Sequence, residues 1–253
     1  MSSEVEIRRP GGQMSNRPLH FFWVVDCSGS MIGDKIATVN NAIQSCIQPM
    51  KDEADKNPNA QLLIRTLKFS SGAQWVTPQP VKIEDFVWDD LKADGVTDLG
   101  KAFEMLAAQL SIPPMTDRAL PPVIVLLSDG YPTDDYKKGL EKLMHEPWGK
   151  KAVKIAISIG KNADDNVLSD FTGSIEYVLQ ANNAEDLTNM IKWASTVASV
   201  VSAPKSDVNR NNTMGSAPMG ISLGASMPVS VPDNGNVVID MSNIPQPGSG
   251  VVW

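Results

Sequence analysis

Cysteine and histidine are scarce in this chain. Its 253 residues hold two of each: Cys27 and Cys46, His20 and His145. Two cysteines make no disulfide framework, and two histidines leave no His-rich zinc or iron site. Long apolar runs are missing too. No stretch approaches the ~18 consecutive apolar residues of a transmembrane helix, so no membrane partner is expected. The segment Met1 to Pro18 carries Arg8, Arg9 and Arg17 but no apolar run after them. No targeting segment is visible, and the expected compartment is the reducing cytoplasm. Basic charge is short: the net charge is -7. An acidic surface repels phosphate backbones, which argues against nucleic-acid binding. There is no G-x-S-x-G elbow for a serine hydrolase and no P-loop.

What is present is enough apolar residue, 42% of the chain, to build a sizeable core. It is unevenly spread. Residues 1–18 net +1 and read as a flexible arm. In residues 204–253, Gly, Pro, Ser and Asn make up half, Phe and Tyr are absent, and Leu223 is the only Leu. Such a segment buries too little apolar surface to offset its ordering entropy, so it reads as a flexible tail. Val237-Val238-Ile239 and Val251-Val252-Trp253 within it suit partner docking, and Thr213 and several serines could accept phosphate. Residues 19–203 hold nearly all the large apolar side chains and form the expected domain.

That block alternates strand and helix patterns. Apolar runs at Leu19 to Val25, Leu62 to Phe69, Val123 to Leu127, Val153 to Ile159 and Ile175 to Leu179 read as strands, with Ala73 to Thr77 as a hairpin partner of the second. Helical spacing follows in Ile36 to Met50, Leu99 to Leu110, Asp135 to His145, Asp164 to Phe171 and Leu187 to Val201. The alternation predicts an α/β fold: a doubly wound, mostly parallel sheet with one antiparallel edge strand and helices on both faces.

In such folds ligands bind beyond the carboxyl ends of the strands. Asp26-Cys27-Ser28-Gly29-Ser30 follows the first strand, and Ser128-Asp129-Gly130 follows the central apolar run. Gly95 to Gly100 precedes the Leu99 helix. Side chains alternate in extended chain, so Asp26, Ser28 and Ser30 would share one side while Cys27 faces away. Thr97 and Asp129 can add one hydroxyl and one carboxylate. A set of five oxygen donors with two negative charges and no His or thiolate suits Mg²⁺ or Mn²⁺.

These residues resemble the von Willebrand factor A (vWA) family with its metal-ion-dependent adhesion site: D-x-S-x-S, then a distant Thr, then a distant Asp. The likeness covers residues 19–203. Within the family, Gly95 to Gly100 and Leu127 to Asp134 are similar to the stand-alone bacterial TerY-like proteins of tellurium-resistance and stress operons. The resemblance implies a non-catalytic, metal-dependent adaptor, with Asp26, Ser28, Ser30, Thr97 and Asp129 around the metal and a partner's Asp or Glu in its open position. It also implies partners such as a protein kinase and a PP2C-type phosphatase.

The alternative is a Mg²⁺-dependent phosphatase-like hydrolase using Asp26. Such enzymes need a second Asp two residues on, where this chain has Ser28, and a nearby Lys, for which Lys101 or Lys154 could be nominated. Asp98 is expected to cap the Leu99 helix, and Asp134 and Asp135 to be capping or first-turn acids. Both cysteines read as packed residues, His20 as a packed or edge residue, and His145 as a helix-end cation. Trp75 and Trp88 could be core or surface.

Overall fold

Leu19, Phe21, Trp23 and Val25 alternate with Phe22 and Val24, and all six are at most 1% exposed. Full burial on both faces places the strand carrying them at the centre of a sheet with two hydrophobic layers. The computed structural model has this arrangement; it describes residues 16–57, 60–161, 163–202, 229–230 and 238–239.

The elements run β1 (Arg17–Asp26), α1 (Asp34–Asp55), β2 (Ala60–Ser70), β3 (Gly72–Trp75), β4 (Val81–Lys82), α2 (Leu99–Leu110), β5 (Val123–Ser128), α3 (Tyr136–His145), α4 (Pro147–Lys151), β6 (Val153–Ile159), α5 (Asp165–Thr172), β7 (Val178–Ala181) and α6 (Ala184–Ser202). The sheet order is β3-β2-β1-β5-β6-β7. β1 pairs in parallel with both β2 and β5, and β6 and β7 continue the parallel run. β3 and the short β4 both pair antiparallel with β2, completing that edge. The expected doubly wound α/β sheet with its antiparallel edge is therefore present.

One face of β1 packs with α1 and α6, through Ile36, Val39, Ile43, Ile191, Ala194 and Val197. The other packs with α2 and α5, through Leu99, Phe103, Leu106, Val167 and Phe171. Cys27 and Cys46 are buried in the first layer as free thiols, as expected. Burial pushes the Cys27 thiol up to about 12, so it is held as an inert thiol. Trp88 belongs to the core and donates to Asn40 Oδ1, while Trp75 is half-buried beneath the Arg65 guanidinium.

One local expectation shifts, and three features carry no signal in the sequence pattern. β4 is two residues long and α4 five, both too short to leave a periodic pattern. Ile175–Tyr177 is a 3₁₀ turn, and the strand begins only at Val178. α2 and α3 meet through Gly100 and Gly139, with a Cβ at Gly139 lying 2.3 Å from the Gly100 carbonyl oxygen. Only glycine permits that approach.

The arm 1–18 lies almost entirely, and the tail 204–253 with Thr213, Val237 and Val251 to Trp253 largely, outside the described residues. Within the tail, Val229–Ser230 (β8) and Val238–Ile239 (β9) pair antiparallel. Among the described residues no helix is long and apolar enough to cross a membrane.

Candidate metal centre

The chain leaves β1 for β2 on one side of the sheet and returns to β5 on the other. The carboxyl ends of β1 and β5 thus flank the point where winding reverses, and no crossover helix fills the crevice there. Asp26 is the last residue of β1, and Asp129 follows the last residue of β5.

Asp26 is fully buried. Its Oδ1 accepts from the Ser28 backbone N–H at 2.8 Å, and its Oδ2 accepts from Ser128 Oγ at 2.6 Å. Burial pushes the Asp26 carboxyl up from the ordinary carboxylate range. Hydrogen bonds from Ser128 and Ser28 oppose that, and the Asp129 charge adds to it.

The strand ends at Asp26, and Gly29–Met31 forms a 3₁₀ turn. Strand alternation therefore does not bring Ser30 to the site; the turn does. Gly29 N–H donates to the Gly95 carbonyl at 2.9 Å, which pins the turn against the loop before α2. Ser28 Oγ then lies 3.0 Å from Ser30 Oγ, and Ser30 Oγ donates to Asp129 Oδ1 at 2.6 Å. Cys27 points the other way, into the core.

Thr97 joins from the third loop. A Cβ placed on Gly130 would lie 3.5 Å from both Ser30 Oγ and Thr97 Oγ1. Gly130 thus keeps open a small space bounded by hydroxyls of two loops. The Thr97 backbone is clamped twice by Thr133: its N–H donates to Thr133 Oγ1 at 3.1 Å, and its carbonyl accepts from Thr133 N–H at 2.8 Å. All five residues singled out from the sequence therefore converge, on three loops.

Asp98 does not cap α2 with its side chain. It accepts from Gly72 N–H at 2.8 Å and Thr133 Oγ at 3.1 Å instead, bracing the loop beside Thr97. The cap comes from Asp134, which accepts from Gly100 N–H at 2.8 Å and Lys101 N–H at 2.9 Å. Asp135 caps its own helix by accepting from Lys138 N–H at 3.3 Å.

The residue missing from the sequence reading is Lys35. From the first turn of α1 its ammonium donates to Asp129 Oδ2 at 2.5 Å. A lysine five residues past Ser30, one residue into a helix that starts beside the site, was the available signal. Neither nominated lysine pairs with Asp26 or Asp129 among the described residues. Lys154 is near the start of β6, the far end of the sheet, with Nζ 3.3 Å from the Gly149 carbonyl. Lys101 is exposed on α2.

The donor chemistry fits a hard divalent cation. Two carboxylates sit within a chain of hydroxyls, one of them buried without a basic partner, and the gap at Gly130 is lined by oxygen. His and Cys ligands are absent from the set.

The sequence profile of the von Willebrand factor type A domain matches residues 22–193. The sequence finds no match among curated proteins. Solved structures with the same fold include the pilus adhesin SpaC from Lactobacillus rhamnosus GG, at TM-score 0.58 and 13% identity over 75% of this chain and 31% of that one. The ArnB paralog VWA2 from Sulfolobus acidocaldarius gives 0.53 and 18% over 70% and 44%. Proximal thread matrix protein 1 from the mussel byssus, whose structure has a zinc-occupied MIDAS motif, gives 0.51 and 18% over 73% and 46%. The chain spans less than half the length of each.

Proposed function

Because the chain belongs to the von Willebrand factor type A domain family, we propose that it is a Mg²⁺- or Mn²⁺-dependent protein-interaction module whose site residues are Asp26, Ser28, Ser30, Thr97 and Asp129. The observation that carries this is the unbroken contact path from the Asp26 carboxylate through Ser28 and Ser30 to Asp129 at the switch point. A bound divalent ion would supply a hard cation with a coordination position left for a partner's carboxylate.

In this reading Ser28, Ser30 and Thr97 offer neutral oxygens, so the residual positive charge stays available to an incoming Asp or Glu. Asp26 and Asp129 supply the two negative charges, directly or through water. The buried hydrogen bonds to Asp26 fix its rotamer, and Asp98 and Thr133 hold Thr97 in place. Oxygen-only donors favour Mg²⁺ or Mn²⁺ over zinc. The domain is residues 19–203, with the arm and tail as appendages and the tail as a segment for docking or phosphorylation.

The finer reading is a cytoplasmic, non-catalytic TerY-like adaptor in a bacterial stress or defence system, working with a protein kinase and a PP2C-type phosphatase. Its support is the pattern in Gly95 to Gly100 and Leu127 to Asp134. The phosphatase alternative has less support. Both Asp26 oxygens are already hydrogen-bonded inside the protein, and Ser28 stands where such an enzyme needs its second Asp, although Lys35 does pair with Asp129.

Calorimetric titration of Mg²⁺ and of Mn²⁺ into the full chain tests the metal site. One site per chain is expected, abolished in Thr97→Ala and in Asp26→Asn. Undiminished binding in both variants would remove the metal from this site.

A further inference from the structure

One stretch of the helix layer over Phe22 and Val24 reverses the charge of the chain. Residues 136–154, from α3 into β6, hold six lysines against Glu141 and Glu146, a net +4, so the rest of the chain carries -11. Lys142 is taken up by Glu104 of α2. Lys150 and Lys151 end α4 and are exposed, and Lys154 follows, half-buried, near the start of β6. This is the end of the sheet away from the metal donors. The loop before β5 reaches the same end: β5 pairs with β6 from Val123 and Val153, and Val153 N–H donates to the Pro122 carbonyl. That loop brings Arg118, and Arg17 joins it by donating to the Arg118 and Ala119 carbonyls, both at 3.0 Å. Arg17 and Arg118 line an open recess with Asn16, Pro18, Thr116 and Asp117.

Five cations thus follow one rim, and among the described residues none of them is in an ion pair. Lys154 is the most telling. Its ammonium reaches only the Gly149 and Ala152 carbonyls, at 3.3 and 3.5 Å. Burial holds its pKa below the usual lysine value. A desolvated ammonium without a counter-ion is unfavourable, and an arriving carboxylate would relieve it. The carboxylates at this end are Asp117, Glu146 and Glu176, and His145 is beside them at the end of α3. Glu84 and Asp85, with Asp52, Glu53 and Asp55 at the end of α1, belong to the other layer.

We propose that the rim formed by Arg17, Arg118, Lys150, Lys151 and Lys154 docks a short acidic segment of a partner protein, independently of the metal donors. Carboxylates lie among the cations, so spaced acidic side chains match the rim better than a uniformly charged phosphate chain does. A long polyanion would also run onto the acidic remainder of the chain. A short segment stays within a Debye length, about 8 Å at physiological salt, of the five cations. Trp148, the ring among these cations, is 4% exposed beneath Lys151, so base stacking gains nothing there. Ile112 and Ile175 are exposed at this end and offer contact to apolar neighbours of the acidic residues.

The probe is a fluorescein-labelled peptide of alternating Glu and Ala, titrated with the full chain and followed by anisotropy at about 0.15 M salt. EDTA is present throughout, which keeps the metal site out of the measurement. The wild type should bind the peptide. Lys150→Glu with Lys151→Glu should weaken binding at least tenfold, and Lys154→Met at least fivefold. Lys51→Glu with Lys56→Glu, at the end of α1, makes the same change in net charge as the first pair and should weaken binding less than twofold. Lys154→Met removes a desolvated ammonium, so its urea midpoint should not fall, which separates lost docking from lost folding. No binding by the wild type, equal losses from the two charge-reversed pairs, or indifference to Lys154→Met would each overturn the proposal. Tighter binding of a single-stranded oligonucleotide or of phosphatidylserine vesicles than of the peptide, in the same buffer, would overturn the protein partner.

Discussion

The Lys35 ammonium donates to Asp129 Oδ2 at 2.5 Å, while the other oxygen of the same carboxylate accepts from Ser30 at 2.6 Å. Asp129 is thus held between a cation of the chain itself and the hydroxyls of the site. Lys35 is one-fifth exposed, so the pair is only partly screened. A divalent cation arriving at Asp129 meets an ammonium already there. Lys35→Met is expected to tighten Mg²⁺ binding about tenfold, or about 1.4 kcal/mol, measured by calorimetry at low salt. Weaker binding in Lys35→Met would instead make the lysine a support that orients Asp129.

Asp134 ties two backbone N–H groups of α2 from a loop more than thirty residues away. Those groups are among the four that a helix N-terminus leaves unsatisfied. Asp134→Ala should cost about 1–2 kcal/mol of stability, read from urea denaturation midpoints, and Asp134→Asn should recover part of it. No change in midpoint for the alanine variant would show that water satisfies those N–H groups as well.

Gly139 allows α3 to touch α2 at the Gly100 carbonyl. Gly139→Ala must force the helices apart although alanine is the better helix former. The expected outcome is a loss of about 1–3 kcal/mol, the usual cost of overpacking, seen as a lower thermal midpoint. A gain in stability would mean that α3 shifts freely.

His20 is buried in β1 with its Nδ1 unpartnered, and its ring is stacked on Phe22. Burial, with the Arg65 charge, holds its pKa down from 6.5 to about 4. Between these values the unfolded chain binds a proton that the folded chain refuses. This contribution to stability is therefore complete above about pH 6.5 and is lost as the pH falls toward about 4. The loss is of the order of 3 kcal/mol across that window. His20→Phe should flatten that part of the stability–pH curve, measured by urea denaturation at several pH values. An unchanged slope would assign the acid sensitivity to carboxylates.

The main frame of the fold was legible because its signals are local. Val123 to Ser128 is fully apolar up to its last residue and forms a central strand, and the helical spacing of Leu99 to Leu110 gives α2 with those bounds. Asp26, Ser28, Ser30, Thr97 and Asp129 were singled out by spacing and by the resemblance, and the structure brings these five residues together. The partners chosen across space were not legible. Asp98 sits at the N-cap position of α2, yet its carboxylate turns to Gly72 and Thr133, and Asp134 takes the capping role. Nothing in either residue's neighbours in sequence encodes that exchange. Lys35 escaped notice for a similar reason: its partner Asp129 is 94 residues away.

The most direct test is an affinity capture from native cell extract using the full chain and its Thr97→Ala variant, each with Mg²⁺ and with EDTA, and with each captured protein then purified and titrated against the chain. The account predicts a partner that binds the wild type in Mg²⁺ and is lost with EDTA, with Thr97→Ala, and when one Asp or Glu of the partner is replaced. A partner that binds equally well under all four conditions would contradict it, and would place the interaction surface away from Asp26, Ser28, Ser30, Thr97 and Asp129.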